Sequence, residues 1–398
     1  MPQGSADELA PPDRLLLGPG PCNIHPQIVR ALTAPLLGYL DADFIDILDD
    51  ISEMLRQLYG TKDGLAIAVS GSGMAGMEAG LSNLLEPGDT IVIGVNGFFA
   101  ERMVDIASRQ GATPATVQAE WGHLVDPSDV AKELAKHRKV KALAVVHAET
   151  STGVLQPLED LAQLARSHDA LFLVDAVTSL GGSPLVFDQT GIDFCYSAGQ
   201  KCIGTPPGVA PIAVSPKALR AIESRNVKPH SWYFDISLLR QYWQGATRVY
   251  HHTAPNVLLY ALREALRLLL KEGLEERWER HRRHGHALRV GLEALGLRLV
   301  VPEEHCIHHL TLVEVPDGVD DAKVRGALRR EYNIEIGGGL GKFRGKVWRI
   351  GLMGYSSSPA SLLFLLSALE TLLPRFGFEV SPGAGVAAAG RSLVWASQ

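Results

Sequence analysis

The chain has 398 residues, 46% of them hydrophobic and 21% charged, with a formal net charge of −6. Such a composition belongs to a globular protein with apolar material for a large core in two or three domains. The acidic balance argues against nucleic acid or an anionic membrane as partner, and the short basic run at 281–286 (HRRHGH) reads as the solvated face of a charge-mixed helix.

Residues 1–13 are polar and proline-rich and read as a loose arm. They lack the basic and apolar regions of a secretion signal, and the final ASQ is no peroxisomal address. No run of about 18 apolar residues is apparent, which argues against a membrane span. Cys22, Cys195, Cys202 and Cys306 show no paired spacing and read as free thiols. A cytoplasmic location is expected.

From residue 14 onward, short apolar runs alternate with helix-length amphipathic stretches. The runs are LAIAVS (65–70), TIVIGV (90–95), ALAVVH (142–147), LFLVDA (171–176), DFCYSA (193–198) and GVAPIAV (208–214). Near-continuous apolar strands separated by helices predict an α/β domain whose mostly parallel sheet lies between helices, with ligands beyond the carboxyl ends of the strands. From residue 257 long helices take over. They are followed by a strand in LTLVEV (310–315), a helix near Asp321–Glu331, the stretches NIEIGGG and KVWRIGL, and a helix near Ser361–Leu373. This predicts a large domain over 14–272, a smaller α+β domain over 273–377, and a loose Gly/Ala-rich tail over 378–398.

Three places carry chemistry. SGSGMAG (70–76) follows a strand and opens a helix, where glycines let backbone N–H groups close on a phosphate. It also fits the dinucleotide pattern Gly-x-Gly-x-x-Gly through Gly71, Gly73 and Gly76, although the next strand ends in GVNGFF without the acidic residue a ribose needs. A plain tight turn is the remaining alternative. Asp175 ends an otherwise apolar strand, where a carboxylate is expensive unless it meets a cation such as a protonated pyridine nitrogen; a turn cap is its bland alternative. Lys201, in SAGQKCIGTPPG (197–208), lies just past another apolar strand, a setting that desolvates an amine and makes it nucleophilic. A phosphate cradle, a carboxylate, a lysine and an aromatic face in Phe99 are together the parts that pyridoxal phosphate requires.

With LLLGPGP (15–21), HAETSTGVLQPL (147–158), VDAVTSLGG, GQKCIGTPPG, RVYHHTAP (248–255), NIEIGGGLG and GKVWRIGLMG in this order, the chain resembles the class V aminotransferases of type I fold over roughly residues 14–375, in particular the alanine–glyoxylate and serine–pyruvate group. The resemblance implies that Lys201 is the Schiff-base lysine and Asp175 the partner of the ring nitrogen. Ser72, Gly73, Met74 and Gln200 would hold the phosphate, Thr150 and Val177 would contact the ring, and Phe99 would stack on it. Tyr250 and Thr253 would reach the phosphate of a neighbouring subunit, implying a homodimer with shared sites. Arg349 would clamp the substrate carboxylate, and its planar fork suits that task.

The resemblance also implies transamination between a small amino acid, alanine or serine, and a small 2-oxo acid, glyoxylate or pyruvate. Alternatives are an (S)-ureidoglycine–glyoxylate aminotransferase, a lyase or desulfurase of the same class, and a non-catalytic scaffold. Tyr39 and Tyr250 favour small donors over ureidoglycine, and Cys306 has the wrong setting for a desulfurase nucleophile. Met74 stands where relatives carry His or Thr, Phe99 replaces a tryptophan of animal members, and the segment HCIHHLTLV (305–313) replaces a Leu-Pro-Thr run. No metal is expected. His251 and His252, read as neighbours on a strand, would point to opposite faces, while His305, His308 and His309 read as solvated or core histidines.

Overall fold

The computed structural model describes residues 9–245 and 247–395, so the first eight residues of the expected arm and the last three of the tail lie outside it. Fourteen strands are formed among them. They are β1 (Leu15–Leu16), β2 (Leu65–Ser70), β3 (Thr90–Val95), β4 (Thr113–Gln118), β5 (Ala142–Val146), β6 (Ala148–Glu149), β7 (Val154–Leu155), β8 (Leu171–Asp175), β9 (Phe194–Tyr196), β10 (Val209–Val214), β11 (Leu310–Glu314), β12 (Ile334–Glu335), β13 (Gly337–Gly338) and β14 (Val347–Gly351).

Seven of these make one sheet in the order β2-β10-β9-β8-β5-β3-β4. Only β10 runs against its neighbours β2 and β9; the pairs β8–β9, β5–β8, β3–β5 and β3–β4 are parallel. The carboxyl ends of β2, β3, β5, β8 and β9 therefore share one rim. All residues of β5, β8, β9 and β10 are buried, which explains why these strands read as unbroken apolar runs rather than alternating ones. The edge strand β4 (TPATVQ) has no strand signature in the sequence: Pro114 and two threonines make it look like a loop, and an edge position tolerates them.

Two apolar cores follow. The first surrounds the sheet and draws on residues from Ile28 to Leu269. The second joins Leu17 to residues between Ala287 and Ala389, around the small sheet β11-β14-β13. The chain passes between them at Gly273, whose φ of +91° breaks the helical stretch into Asn256–Glu272 and Leu274–Ala294. Leu17 crosses back: β1 pairs in parallel with β12, so the N-terminal segment is tied to the second core and then runs past the first.

The helix Pro359–Leu372 and its short continuation to Phe376 reach a mean hydropathy of 1.2 over 18 residues, so the described residues do hold one segment with the length and composition of a span. Leu362, Leu365, Leu366, Leu369 and Leu372 bury that surface in the second core. The tail also differs from expectation: Ala384–Trp395 is a helix, with Ala389 buried in the same core. Small residues there allow close approach to Gly291, where an added Cβ would come 3.1 Å from the Gly385 carbonyl oxygen.

Gly285 sits inside the helix Leu274–Ala294, where alanine normally stabilises by about 1 kcal/mol. A Cβ at this position would overlap the backbone carbonyl of His308. Gly285→Ala is therefore expected to lose roughly 1–3 kcal/mol of stability in urea unfolding. A stability gain would contradict this packing.

Candidate active site

Lys201 sits in a wide helical turn, Gly199–Ile203, that follows β9, and its own backbone (φ −96°, ψ −130°) departs from the helix. The side chain folds back so that Nζ donates to the Pro19 carbonyl. This requires glycine at position 20. Its φ is +106°, and a Cβ there would lie 2.6 Å from Lys201 Nζ and Cδ. The stretch LLLGPGP is thus the floor on which the lysine rests, a role that its residue types alone did not reveal. Burial, and secondarily the Arg349 guanidinium, lower the Lys201 amine to about 8. Arg277, from the second-core helix, donates to the Cys202 and Gly181 carbonyls and so anchors the lysine turn from below.

Asp175 ends β8 and is 3% exposed. Oδ1 accepts from the Val177 N–H at 2.8 Å and Oδ2 accepts from the Tyr196 hydroxyl at 2.8 Å. Burial pushes its carboxyl up to about 7, against the pull of those two hydrogen bonds, with Glu149 adding to the rise and Lys201 opposing it. A simple turn cap would need only the Val177 contact.

Ser72 occupies the N-cap of the helix Gly73–Leu84 but spends no side-chain hydrogen bond on it. The helix start is thus open to an anion. A Cβ on Gly73 would come 2.7 Å from Val177 Cγ2, so the close approach of this turn to Val177 excludes any side chain there. Gln200 carries a buried Oε1 with no hydrogen-bond partner among the described residues.

Phe99 lies in the first turn of the helix Phe98–Arg109. Its placement depends on Glu149, a residue sequence reading passed over. Glu149 is fully buried; Oε2 accepts from the N–H groups of Phe99 (3.0 Å) and Ala100 (3.2 Å), and Oε1 accepts from the Ser151 N–H (3.0 Å) and hydroxyl (2.6 Å). It caps a helix whose own N-cap is Gly97, where any side chain would collide with Glu149 itself. Burial raises its carboxyl while these four donors oppose the rise.

Ser72, Gly73, Met74, Phe99, Thr150, Asp175, Val177, Gln200 and Lys201 line one cavity of about 110 Å³. Arg349, on β14, approaches it from the second core: Nε donates to the Gly338 carbonyl at 2.7 Å and Nη1 to the Thr150 carbonyl at 3.3 Å. Burial lowers the guanidinium to about 10, with Glu149 opposing the shift. Tyr250 and Thr253 are elsewhere. Their hydroxyls meet at 3.3 Å on the surface, and the Tyr250 ring lies 4.8 Å from that of Tyr39.

The strand expected at His251 and His252 is absent: the segment is irregular, and the two Nδ1 atoms meet at 2.8 Å. His251 stacks on Trp232 with ring centroids 4.3 Å apart, and His252 contacts the Ser70 hydroxyl at 3.0 Å. His309 is buried 5.8 Å from the His281 ring, and His308 stands 3.7 Å from Cys306 Sγ, none of them in the cavity.

The family profile described as "Aminotransferase class-V" matches residues 36–344. The crystal structure of ureidoglycine–glyoxylate aminotransferase from Bacillus subtilis is 40% identical with a TM-score of 0.95, covering 97% of this chain and 99% of that one. That of alanine–glyoxylate aminotransferase from Nostoc sp. is 47% identical with a TM-score of 0.91, covering 93% and 97%. The alanine–glyoxylate aminotransferase of Callithrix jacchus is 41% identical over 94% of this chain and 90% of its own length.

The Asp175 environment sets a pH dependence in the cofactor-free protein. Its carboxyl moves from an ordinary 3.8 to about 7 on folding. Protonation of Asp175 therefore supports folding fully below pH 3.8, and that support is lost as the pH rises through 7. Asp175→Asn carries no such charge. Its stability relative to wild type is expected to rise by roughly 2–3 kcal/mol between pH 5 and pH 8 in urea unfolding. A pH-independent difference would mean that the carboxylate is solvated.

Proposed function

The chain belongs to the class-V aminotransferases, and from that premise we propose that it moves the amino group of alanine or serine to glyoxylate or pyruvate. The observation that carries this reading is the convergence of a desolvated amine and a desolvated carboxylate, Lys201 and Asp175, on one cavity beside Arg349.

The class works with pyridoxal phosphate, and the residues present fit it. The open helix start at Ser72, Gly73 and Met74 suits a phosphate, and Gln200, on the same cavity, carries an amide NH2 that can donate to one. Val177 and Thr150 flank the place of a flat ring, Phe99 supplies an aromatic face, and Asp175 an acceptor for a ring N–H. When bound, the cofactor supplies an aldehyde that joins an amine and a cationic ring that takes up an electron pair.

The remaining tasks fall to the chain. At an amine value of about 8, Lys201 Nζ holds a neutral fraction near neutral pH, able to take a proton from the substrate α-carbon and return it. Asp175, when ionised, presents a negative charge to the cavity, which favours a protonated ring nitrogen, and a ring cation would in turn favour the ionised carboxylate. Arg349 has Nη2 without a hydrogen bond among the described residues, leaving one arm of the fork for a substrate carboxylate. The small domain's β14 thus brings the substrate grip and the large domain's sheet brings the proton carrier.

Tyr250 and Thr253, exposed and outside the cavity of their own chain, complete the phosphate site of a second copy in a homodimer. The four cysteines are free and buried, in keeping with the cytoplasm. The likeness to the ureidoglycine–glyoxylate structure supports a second reading in which ureidoglycine is the donor. The tilted pair Tyr39–Tyr250 favours the first, since two rings offer little to an extra amide.

Turnover of alanine, serine and ureidoglycine against glyoxylate and pyruvate decides between these donors. Alanine or serine is expected to lead, and ureidoglycine well ahead of both would move the assignment to the second reading. Lys201→Ala is expected to abolish turnover with every pair. Arg349→Ala is expected to weaken donor and acceptor alike by roughly 2–5 kcal/mol, with Arg349→Lys recovering part. Unchanged Michaelis constants in Arg349→Ala would place the carboxylate site elsewhere.

A further inference from the structure

We propose that Tyr196 is a positioning residue for amino transfer: its hydroxyl fixes the carboxylate of Asp175, so that an oxygen faces the cavity where the cofactor's ring nitrogen binds. The inference rests on the reading of Asp175 given above and adds a residue that none of the motifs brought out.

The geometry begins with strand register. Asp175 and Tyr196 are direct partners across the parallel pair β8–β9, so both side chains rise from the same face. Tyr196 is fully buried, and its O–H donates to Asp175 Oδ2 at 2.8 Å. With Val177 N–H on Oδ1 at 2.8 Å, the two carboxylate oxygens each have one donor, which fixes the plane of the group. Burial, followed by the nearby Asp175 charge, holds the Tyr196 phenol well above its ordinary value, so it keeps the proton it donates. Glu149, Lys201, Tyr59 and Cys195 are titratable groups among the described residues that also interact with Asp175. Of these only Lys201 favours its ionised form, and weakly, so the Val177 and Tyr196 donors are the chief opposition to the neutralisation that burial drives.

The space for the Tyr196 ring comes from Gly76. A Cβ on that residue would sit 2.9 Å from Tyr196 Cβ and 3.3 Å from the ring. The third glycine of what reads as a dinucleotide motif therefore serves the tyrosine. Tyr196 is wedged between the helix that opens on the phosphate cradle and the carboxylate, and it sets the two at a fixed distance. Were it merely a packed core aromatic, phenylalanine would serve equally well.

The test compares binding of pyridoxal 5′-phosphate with that of its 1-deaza analogue, in which a C–H replaces the ring nitrogen, to the full-length protein freed of cofactor. The wild type is expected to prefer the natural compound. Tyr196→Phe keeps the ring and removes the oxygen; it is expected to lose about tenfold or more of that preference while binding the analogue as the wild type does. In the loaded enzyme, kcat falls and the substrate KM stays. Gly76→Ala, which displaces the ring with every oxygen retained, shifts the preference in the same direction and serves if Tyr196→Phe does not fold. An unchanged preference in the variant that folds, or equal weakening of both compounds, overturns the proposal. Wild-type protein that binds the two compounds equally overturns the reading of Asp175 itself.

Discussion

Removal of water from two opposite charges at one rim is the condition on which the rest of this structure depends. Burial drives the Asp175 carboxyl up and the Lys201 amine down, bringing both toward the neutral range from opposite ends. Left unassisted, each would simply neutralise, as buried ionisable groups do. Asp175 is held back by two donors, Val177 and Tyr196, whereas among the described residues Lys201 bonds a neutral carbonyl, that of Pro19. The two donors hold the carboxyl back from a still larger rise, and nothing comparable opposes the fall of the amine. That asymmetry is the chemical content of the site.

The scaffold around this pair consists largely of positions where a side chain is forbidden. Gly20 makes room for the lysine, Gly73 for Val177, Gly76 for Tyr196 and Gly97 for Glu149. Each leaves a gap filled by a functional group or by the residue that holds one. Longer connections then join the two cores through the same site. Leu17 is anchored in the second core while Pro19, two residues on, receives the lysine, and Arg277 of the second-core helix grips the carbonyl of Cys202. A shift between the cores would reach Lys201 at once, from both sides of its turn.

The legible part of the sequence was the part in which one residue type, at one place in one element, suffices to state a need. A carboxylate ending an apolar strand and a lysine after another name their own requirement for a partner, and the parallel sheet follows from unbroken apolar runs. What stayed hidden depended on partners distant in the chain. Glu149 caps a helix about fifty residues earlier, and nothing local marks it as a cap. Tyr196 looked like one more strand aromatic, because its hydroxyl finds Asp175 only through the register of β8 and β9. Pro114 disguised an edge strand, and the Gly/Ala-rich end is helical only because the second core offers a surface to bury it. The His251–His252 pair was misplaced for a related reason: its rings answer to Trp232 and Ser70, outside any strand.

The central claim is that the cavity desolvates Lys201, and competitive acylation of the cofactor-free protein across a pH series measures it directly, with mass spectrometry reporting the modified peptide. The account predicts half-maximal reactivity of Lys201 at about pH 8, well below the ordinary lysine value of 10.5. A midpoint near 10.5, shared with the exposed lysines, would contradict it.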